Sequence, residues 1–443
     1  MRRPRFRSLA GGAAGIAAGV IGGVVLTSAS TAGPTPVAAA PALIDATHVP
    51  PVLTARGEPI RLRFGLVCAP REDGLPCDGS GTVFVRAGQT GPFQQYPLRR
   101  GDESKDGRYF FDVPAAVAGS PDGFSYYAVL RDDATGAAVS IPSGGADAPQ
   151  VSRPLLDPVT VELGNYSFGD PRPPNGRAAQ ASWGSGPEEV GLAGSRELGF
   201  SGPSSFDVEP DGAVDLLDSV NGRIERWNHA YHEDIPLGRT ADLADVAAEP
   251  DGSFDVLDAH DTLRRYGADG SERWVQKLAD RTWAKLDRGA EVLQEPSEQW
   301  MPAAENGAPL TRAEQRRAAH TAHHAVLVDR VSDGELRLAQ LRGNAPVRSW
   351  RITSATPLGE VQLAEPVGND VVVVTRAYTD DRDEFVVLVL GDHGVAERFS
   401  VASDSWTETA PLARFRLAHG GLYRLRTTPA GAFVDRFELE VPQ

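Results

Sequence analysis

Short β-rich runs separated by turn clusters set the pattern of the chain from residue 57 onward. Up to about residue 152 the runs fall at 60–67, 82–86, 109–113 and 124–130, and Gly101-Asp102, Asp106-Gly107 and Asp122-Gly123 supply turns between them. About 95 residues of strands at this spacing predict a small β-sandwich of immunoglobulin or fibronectin type. The Cys-Trp-Cys pattern of antibody domains is absent, so this expectation concerns fold alone. A Pro/Gly/Ser-rich stretch over 167–188 marks the next boundary.

The second half carries an internal repeat. Glu209-Pro210-Asp211-Gly212 recurs 40 residues later as Glu249-Pro250-Asp251-Gly252. Val214-Asp215-Leu216-Leu217-Asp218 recurs in register as Phe254-Asp255-Val256-Leu257-Asp258. A β-run with a terminal aromatic follows each: Arg223-Ile224-Glu225-Arg226-Trp227 and Thr262-Leu263-Arg264-Arg265-Tyr266. Each unit reads strand, Pro-Asp-Gly turn, strand, Asp-initiated turn, strand. Proline presets φ, aspartate caps the turn and glycine takes the positive φ. Weaker copies pivot at 287–289, Asp333-Gly334, Gly368-Asn369 and His419-Gly420-Gly421. With Gly212 and Gly252 these make six pivots over 197–443, or about 41 residues each, the length of one four-stranded propeller blade. Six blades closing on themselves remove exposed sheet edges. The run 189–193 is expected to pair into the last blade beside 433–441 and latch the ring.

The segment from Phe206 to Ile224 resembles an NHL repeat, which couples a Pro-Asp-Gly hairpin (Asp211, Gly212) to Asp-x-x-Asn-x-Arg-Ile (Asp218, Asn221, Arg223, Ile224). The second copy keeps Asp251, Gly252 and Asp258, has Asp261 and Thr262 in the turn, and lacks the Arg-Ile pair. The resemblance covers about 70 residues, and only the rhythm continues beyond them. It implies an all-β chain with a six-bladed NHL-like β-propeller preceded by a small β-sandwich. Asp218 and Asn221 should hold the second turn, and Arg223 should reach an acidic neighbour. It implies no reaction, because such propellers serve as lyases, lactonases, RNA binders and scaffolds. The expected organisation is a signal peptide at 1–32, a Pro/Ala-rich tether at 33–56, the sandwich at 57–152, a linker at 153–188, and the propeller at 189–443 with a helical insertion near 305–324.

Charge and address narrow the function. The 443 residues hold 44 Lys+Arg against 60 Asp+Glu, a net charge of −16, and 41 % hydrophobic residues give ample material for a core. This acidity argues against nucleic acid, whose phosphates need a basic footprint. Arg2, Arg3, Arg5 and Arg7 precede a Gly/Ala-rich apolar run and then small residues, the layout of a secretory signal peptide. The alternative is an uncleaved anchor. Removal of 1–32 leaves 40 basic against 60 acidic residues, a net of −20, and no transmembrane segment is expected afterwards. In an oxidising compartment Cys68 and Cys77, the two cysteines of the chain, should bond across a turn-rich loop, worth about 2–3 kcal/mol by loop entropy.

Histidines are the candidate chemistry. His320, His323 and His324 follow Thr311 and Glu314, a capping box that opens a short helix. His320 and His324 then share a face at a spacing that suits zinc, or they lie on a polar surface helix. His229 and His232, with Glu233, offer two nitrogens and an oxygen, or form an exposed polar loop. The starts of the six inner strands carry one histidine, His324, which speaks against a three-histidine channel site. The reading that follows is a secreted, non-catalytic binding or scaffold protein. It presents propeller rim loops to a protein, peptide or cell-envelope ligand and needs no cofactor. The alternative is a metal-dependent lyase or lactone hydrolase, using zinc or calcium on those histidines. Carbohydrate stacking on tryptophans such as Trp227 and Trp350 is a minor third.

Overall fold

The computed structural model describes residues 44–68, 78–100, 108–195, 197, 199–228, 231–237, 244–258, 262–278, 282–287, 289, 291–294, 299–305, 307–311, 314, 326–343, 345–408 and 411–440. The chain is all-β, and its single described helix is one turn long, at Ala115–Ala118. No described helix is long and apolar enough to cross a membrane.

The N-terminal module consists of β1 (Ile44–His48), β2 (Leu53–Ala55), β3 (Arg61–Cys68), β4 (Gly79–Ala87), β5 (Gln94–Pro97), β6 (Arg99–Arg100), β7 (Arg108–Asp112), β8 (Phe124–Asp132), β9 (Ala138–Ile141) and β10 (Gln150–Leu155). One sheet runs β1-β3-β7-β6 and the other β2-β10-β8-β4-β5, with β9 on β8. Alternate residues of each strand turn inward: Leu62, Phe64 and Leu66 from β3 meet Val83 and Val85 from β4 and Tyr126, Ala128 and Leu130 from β8 in one core. β1 and β2 lie within the stretch expected as a tether, because its proline and alanine content concealed two short strands. Cys68 closes β3, while Cys77 lies outside the described residues.

Among the described residues, most of the remaining strands form six sheets of three to five strands. The first is β16 (Ser205–Val208), β17 (Val214–Asp218), β18 (Arg223–Asn228) and β19 (Tyr231–Pro236); the second is β20 (Ala244–Ala248), β21 (Phe254–Asp258), β22 (Thr262–Tyr266) and β23 (Glu272–Lys277). The third shows β24 (Thr282–Asp287), β25 (Glu291–Gln294) and β26 (Gln299–Pro302). The fourth has β29 (Val326–Ser332), β30 (Glu335–Arg342) and β31 (Ala345–Thr353), and takes β11 (Val159–Glu162) as its fourth strand. The fifth is β32 (Leu358–Val367), β33 (Asp370–Tyr378), β34 (Asp383–Gly391) and β35 (Gly394–Ala402). The sixth has β36 (Phe415–Ala418), β37 (Gly421–Thr428) and β38 (Gly431–Glu438), extended by β12 (Gly176–Trp183) and β13 (Glu189–Val190). Two short hairpins, β14 (Ala193–Ser195) with β15 (Gly199–Ser201) and β27 (Ala304–Glu305) with β28 (Ala308–Pro309), stand apart from these sheets.

Each of the six sequence pivots is the turn between the first and second strand of a sheet. Gly212 and Gly252 sit there at φ +91° and +77°, as the hairpins require. Period-2 alternation gives the fifth sheet two buried faces. In β33, Val371 and Val373 pack toward the fourth sheet while Val372 and Val374 pack toward the sixth, so its uninterrupted valine run reflects burial on both sides. Other cores join the sixth sheet to the first, the first to the second, and the second to the third. First strands touch in the same order, β36 with β16, β16 with β20, β20 with β24, and β29 with β32 and β32 with β36.

Two expectations need correction. Residues 153–188, read as a linker, contribute β11 and β12 as outer strands of two sheets. The expected latch at 189–193 is displaced: β12 pairs directly with β38, and Glu189 and Val190 add to β12 instead. Strands toward the outer side of a sheet tolerate nearby proline and glycine, which is why composition alone read this segment as a connection.

The N-terminal module rests on the fourth sheet. Val52 and Leu53 donate their N–H groups to Asp329 Oδ2 at 3.1 and 2.9 Å, Leu53 and Leu155 pack with Ala339, and Arg337 bonds Glu58 at 2.8 Å. Inside the module, His48 Nδ1 donates to the Arg63 carbonyl at 2.6 Å, which leaves Nε2 to accept from the Tyr126 hydroxyl at 2.7 Å. Its ring stacks on Phe64 at 4.3 Å. Burial lowers the His48 pKa to about 4, against the bond to Arg63. The neutral ring therefore belongs to the folded state. Its contribution is complete above about pH 6.5 and is lost as pH falls toward 4, a change of about 3 kcal/mol. Urea unfolding of wild type and His48→Phe at pH 7.5 and pH 4 should show the variant losing less stability on acidification by about that amount.

Candidate functional site

The first strands of five sheets, β20, β24, β29, β32 and β36, line a cavity of roughly 290 Å³. Its wall includes Asp245 of β20, Leu286 and Asp287 of β24, Val326, Val328 and Arg330 of β29, Glu360 to Glu365 of β32, Phe415 and Arg416 of β36, Trp300, and Val52 of the N-terminal module. Four carboxylates thus face two guanidinium groups across apolar patches.

Arg416 reaches across sheets. Its Nε donates to the Phe206 carbonyl at 3.0 Å, Nη1 to Leu286 O at 3.2 Å, and Nη2 to Asp245 Oδ1 at 2.9 Å and Val246 O at 2.8 Å. One side chain of the sixth sheet therefore ties the first, second and third. Burial alone would lower its pKa, but the charges of Asp245 and Asp207 prevail and raise it, so the cation is permanent. Asp245 also accepts from Ser205 Oγ at 2.5 Å and from the Leu286 and Val246 N–H groups at 2.7 and 2.9 Å. Burial pushes its carboxyl up, with Arg416 and these donors opposing. In the preceding sheet Asp207 acts alike, accepting the Ala248 N–H at 2.8 Å. Arg330 bonds the Leu358 carbonyl at 2.8 Å, from the fourth sheet to the fifth.

A second set of charges repeats with the sequence. Arg226 makes a bidentate pair with Asp215 at 2.7 and 2.8 Å and meets Glu209 at 2.5 Å. Arg265 does the same with Asp255, at 2.7 and 2.6 Å, and with Glu249 at 2.8 Å. Glu249 also accepts the Gly289 N–H of the third sheet at 2.9 Å. Burial, then the Asp215 charge, raises the Glu209 carboxyl to about 8.

The repeat residues hold their turns. Asp211 accepts from Ala213 N at 2.9 Å and Asp251 from Ser253 N at 3.1 Å. Asp218 accepts from Asn221 Nδ2 at 2.7 Å, Asn221 N at 3.2 Å, Gly191 N at 3.0 Å and Arg223 Nε at 3.3 Å. Asp258 accepts from Thr262 N at 3.1 Å and from Arg264 at 2.7 Å. Arg223 meets Glu225 at 2.6 Å and Asp234 at 3.0 Å, and donates to the Gly186 and Glu189 carbonyls at 2.8 and 2.5 Å.

Of the candidate histidines, His229, His320, His323 and His324 lie outside the described residues. Thr311 and Glu314 make the reciprocal bonds of a capping box, with Thr311 N and Oγ1 donating to Glu314 at 2.8 and 2.6 Å and Glu314 N donating back at 3.4 Å. His232 lies in β19 and is part of no loop. Its neighbours are Glu225 and Asp234, at 3.4 and 3.3 Å from Nε2. The pairing with Glu233 expected from adjacency does not form, because successive strand residues face opposite ways.

Sequence reasoning missed Arg416, Asp245, Asp207 and the two Arg-Asp-Glu sets. The latter carried a signal: Glu209, Asp215 and Arg226 recur at Glu249, Asp255 and Arg265 inside the repeat. Arg416 carried none, since its partners lie 130 to 210 positions away in the chain.

No known family and no curated protein matches the chain. Among solved structures it is similar to hydrazine synthase of Kuenenia stuttgartiensis (11 % identity, 53 % of this chain and 86 % of that one, TM-score 0.29). It is also similar to virginiamycin B lyase of Staphylococcus aureus (7 %, 90 % and 100 %, 0.20) and YCF48 of Cyanidioschyzon merolae (12 %, 53 % and 95 %, 0.26). Scores this low carry no argument about fold or activity.

Removing one partner of a buried ion pair strands the other charge and costs about 3–5 kcal/mol. Arg416→Met should lower unfolding free energy by about that amount in urea. Adding Asp245→Asn should restore some of it, a coupling that two independent sites would not give.

Proposed function

We propose that the protein is an exported, non-catalytic binding protein whose six sheets close into a six-bladed, NHL-like propeller. The N-terminal sheets form its immunoglobulin-like sandwich, and Cys68 and Cys77 staple one sandwich loop. Supporting closure, each described sheet-to-sheet core follows ring order, and both β12 and β11 arrive from outside the repeats to complete a sheet.

The observation that carries the binding reading is the cavity among the first strands. Its nearest buried charges, Asp245 and Arg416, already bond strand backbone and one another, so they act as structure. Glu360 and the apolar wall of Val328, Leu363 and Phe415 remain as a surface for a ligand. With four acids against two bases around the opening and a net charge of −20 after leader removal, the fitting partner is a protein, peptide or envelope component that offers a basic group on an apolar stem. Nucleic acid is disfavoured by the same charge.

Calorimetry with short arginine- or lysine-ended peptides and with glutamate-ended controls tests this. The reading expects binding of the basic peptides alone, weakened at least fivefold by Glu360→Gln and by raised salt. Equal or stronger binding of the acidic peptides, or none of either, would contradict it.

A further inference from the structure

We propose that Glu225, His232 and Asp234 form a binding site for a divalent metal ion of the zinc type on the outer half of the first sheet. The pairing of β18 with β19 sets Glu225 directly opposite Asp234, and His232 stands two residues along on the same face. Like charges placed directly opposite on neighbouring strands repel. Arg223, on that face too, is the nearby cation, and it is shared among Asp218, Glu225 and Asp234. One guanidinium shared among three carboxylates leaves negative charge uncompensated, which a 2+ ion balances.

The geometry points the same way. Each carboxylate turns one oxygen to Arg223: Glu225 Oε1 at 2.6 Å and Asp234 Oδ2 at 3.0 Å. The other oxygens, Glu225 Oε2 and Asp234 Oδ1, face His232 Nε2, and none of these three atoms has a hydrogen-bond partner. The Glu225 side chain is fully buried, at 0 % exposure, so its unpartnered oxygen is aimed into the site. A tetrahedral ion with bonds of about 2.0–2.1 Å holds its ligand atoms about 3.3–3.4 Å apart. His232 Nε2 lies 3.4 Å from Glu225 Oε2 and 3.3 Å from Asp234 Oδ1, and all three ligand atoms fall within 4.8 Å of one another. Those spacings are long for hydrogen bonds from an imidazole and suit the edges of a coordination tetrahedron. Asp234 is 31 % exposed, so the fourth position opens to water. The ion would clip β19 to β18 beside the 184–189 segment that Arg223 already holds, a structural role independent of any ligand in the central cavity.

The test uses the whole chain, freed of metal with chelator and titrated with zinc by calorimetry and with cobalt by visible absorption. One ion per chain is expected at this site, with the intense visible bands of four-coordinate cobalt. Glu225→Gln, His232→Ala and Asp234→Asn should each weaken binding at least tenfold. The double variant His320→Ala/His324→Ala should leave it unchanged. Circular dichroism of each variant shows whether it folds, and Asp234→Asn, partly exposed, guards against loss through misfolding. Failure of the folded wild-type chain to bind either ion at micromolar concentration, or binding that persists in all three single variants, would overturn the proposal.

Discussion

Asp245 lies buried on an inner strand, and the guanidinium of Arg416 is the cation that makes its charge tolerable there. The same guanidinium fills its remaining valences with three backbone carbonyls from three sheets. A lysine has neither the reach in several directions nor the flat fork that allows this. First strands of neighbouring sheets share no backbone ladder. Asp207 and Asp245 bridge that gap by accepting an N–H from the next first strand, and Arg416 joins their far end. These charged side chains tie the first strands of three sheets to one another beside the cavity.

Apolar packing does the rest, in a form the sequence displays openly. The valine run 371–374 serves two interfaces at once, so the fifth sheet depends on both the fourth and the sixth. Such a succession tolerates weak sequence repetition, since what must recur is alternation and a turn, not particular side chains. That is why the later pivots keep only the rhythm while their strands still pair antiparallel about each turn.

The turns were legible because Pro-Asp-Gly chemistry is local: Asp211 and Gly212 shape four residues by themselves. The Asp218–Asn221–Arg223 constellation was legible for the same reason. The outer strands β11 and β12 were not, because they pair with segments about 190 and 250 residues away and lie in proline-rich sequence. His232 is legible as a ligand type, but its carboxylate neighbour is not, since Glu225 comes from the adjacent strand. Arg416 was invisible for the corresponding reason: a lone arginine at a strand start gains meaning only when three other sheets surround it.

Amide hydrogen exchange at Ala248 and Leu286 tests the central claim most directly, because these two N–H groups are donated from the next first strand to the carboxylates of Asp207 and Asp245. If the carboxylates and Arg416 hold the first strands together, both amides exchange only through global unfolding, in step with the amide of Val256 at the centre of the second sheet. Exchange of Ala248 and Leu286 by local opening, while Val256 stays protected, would contradict the account.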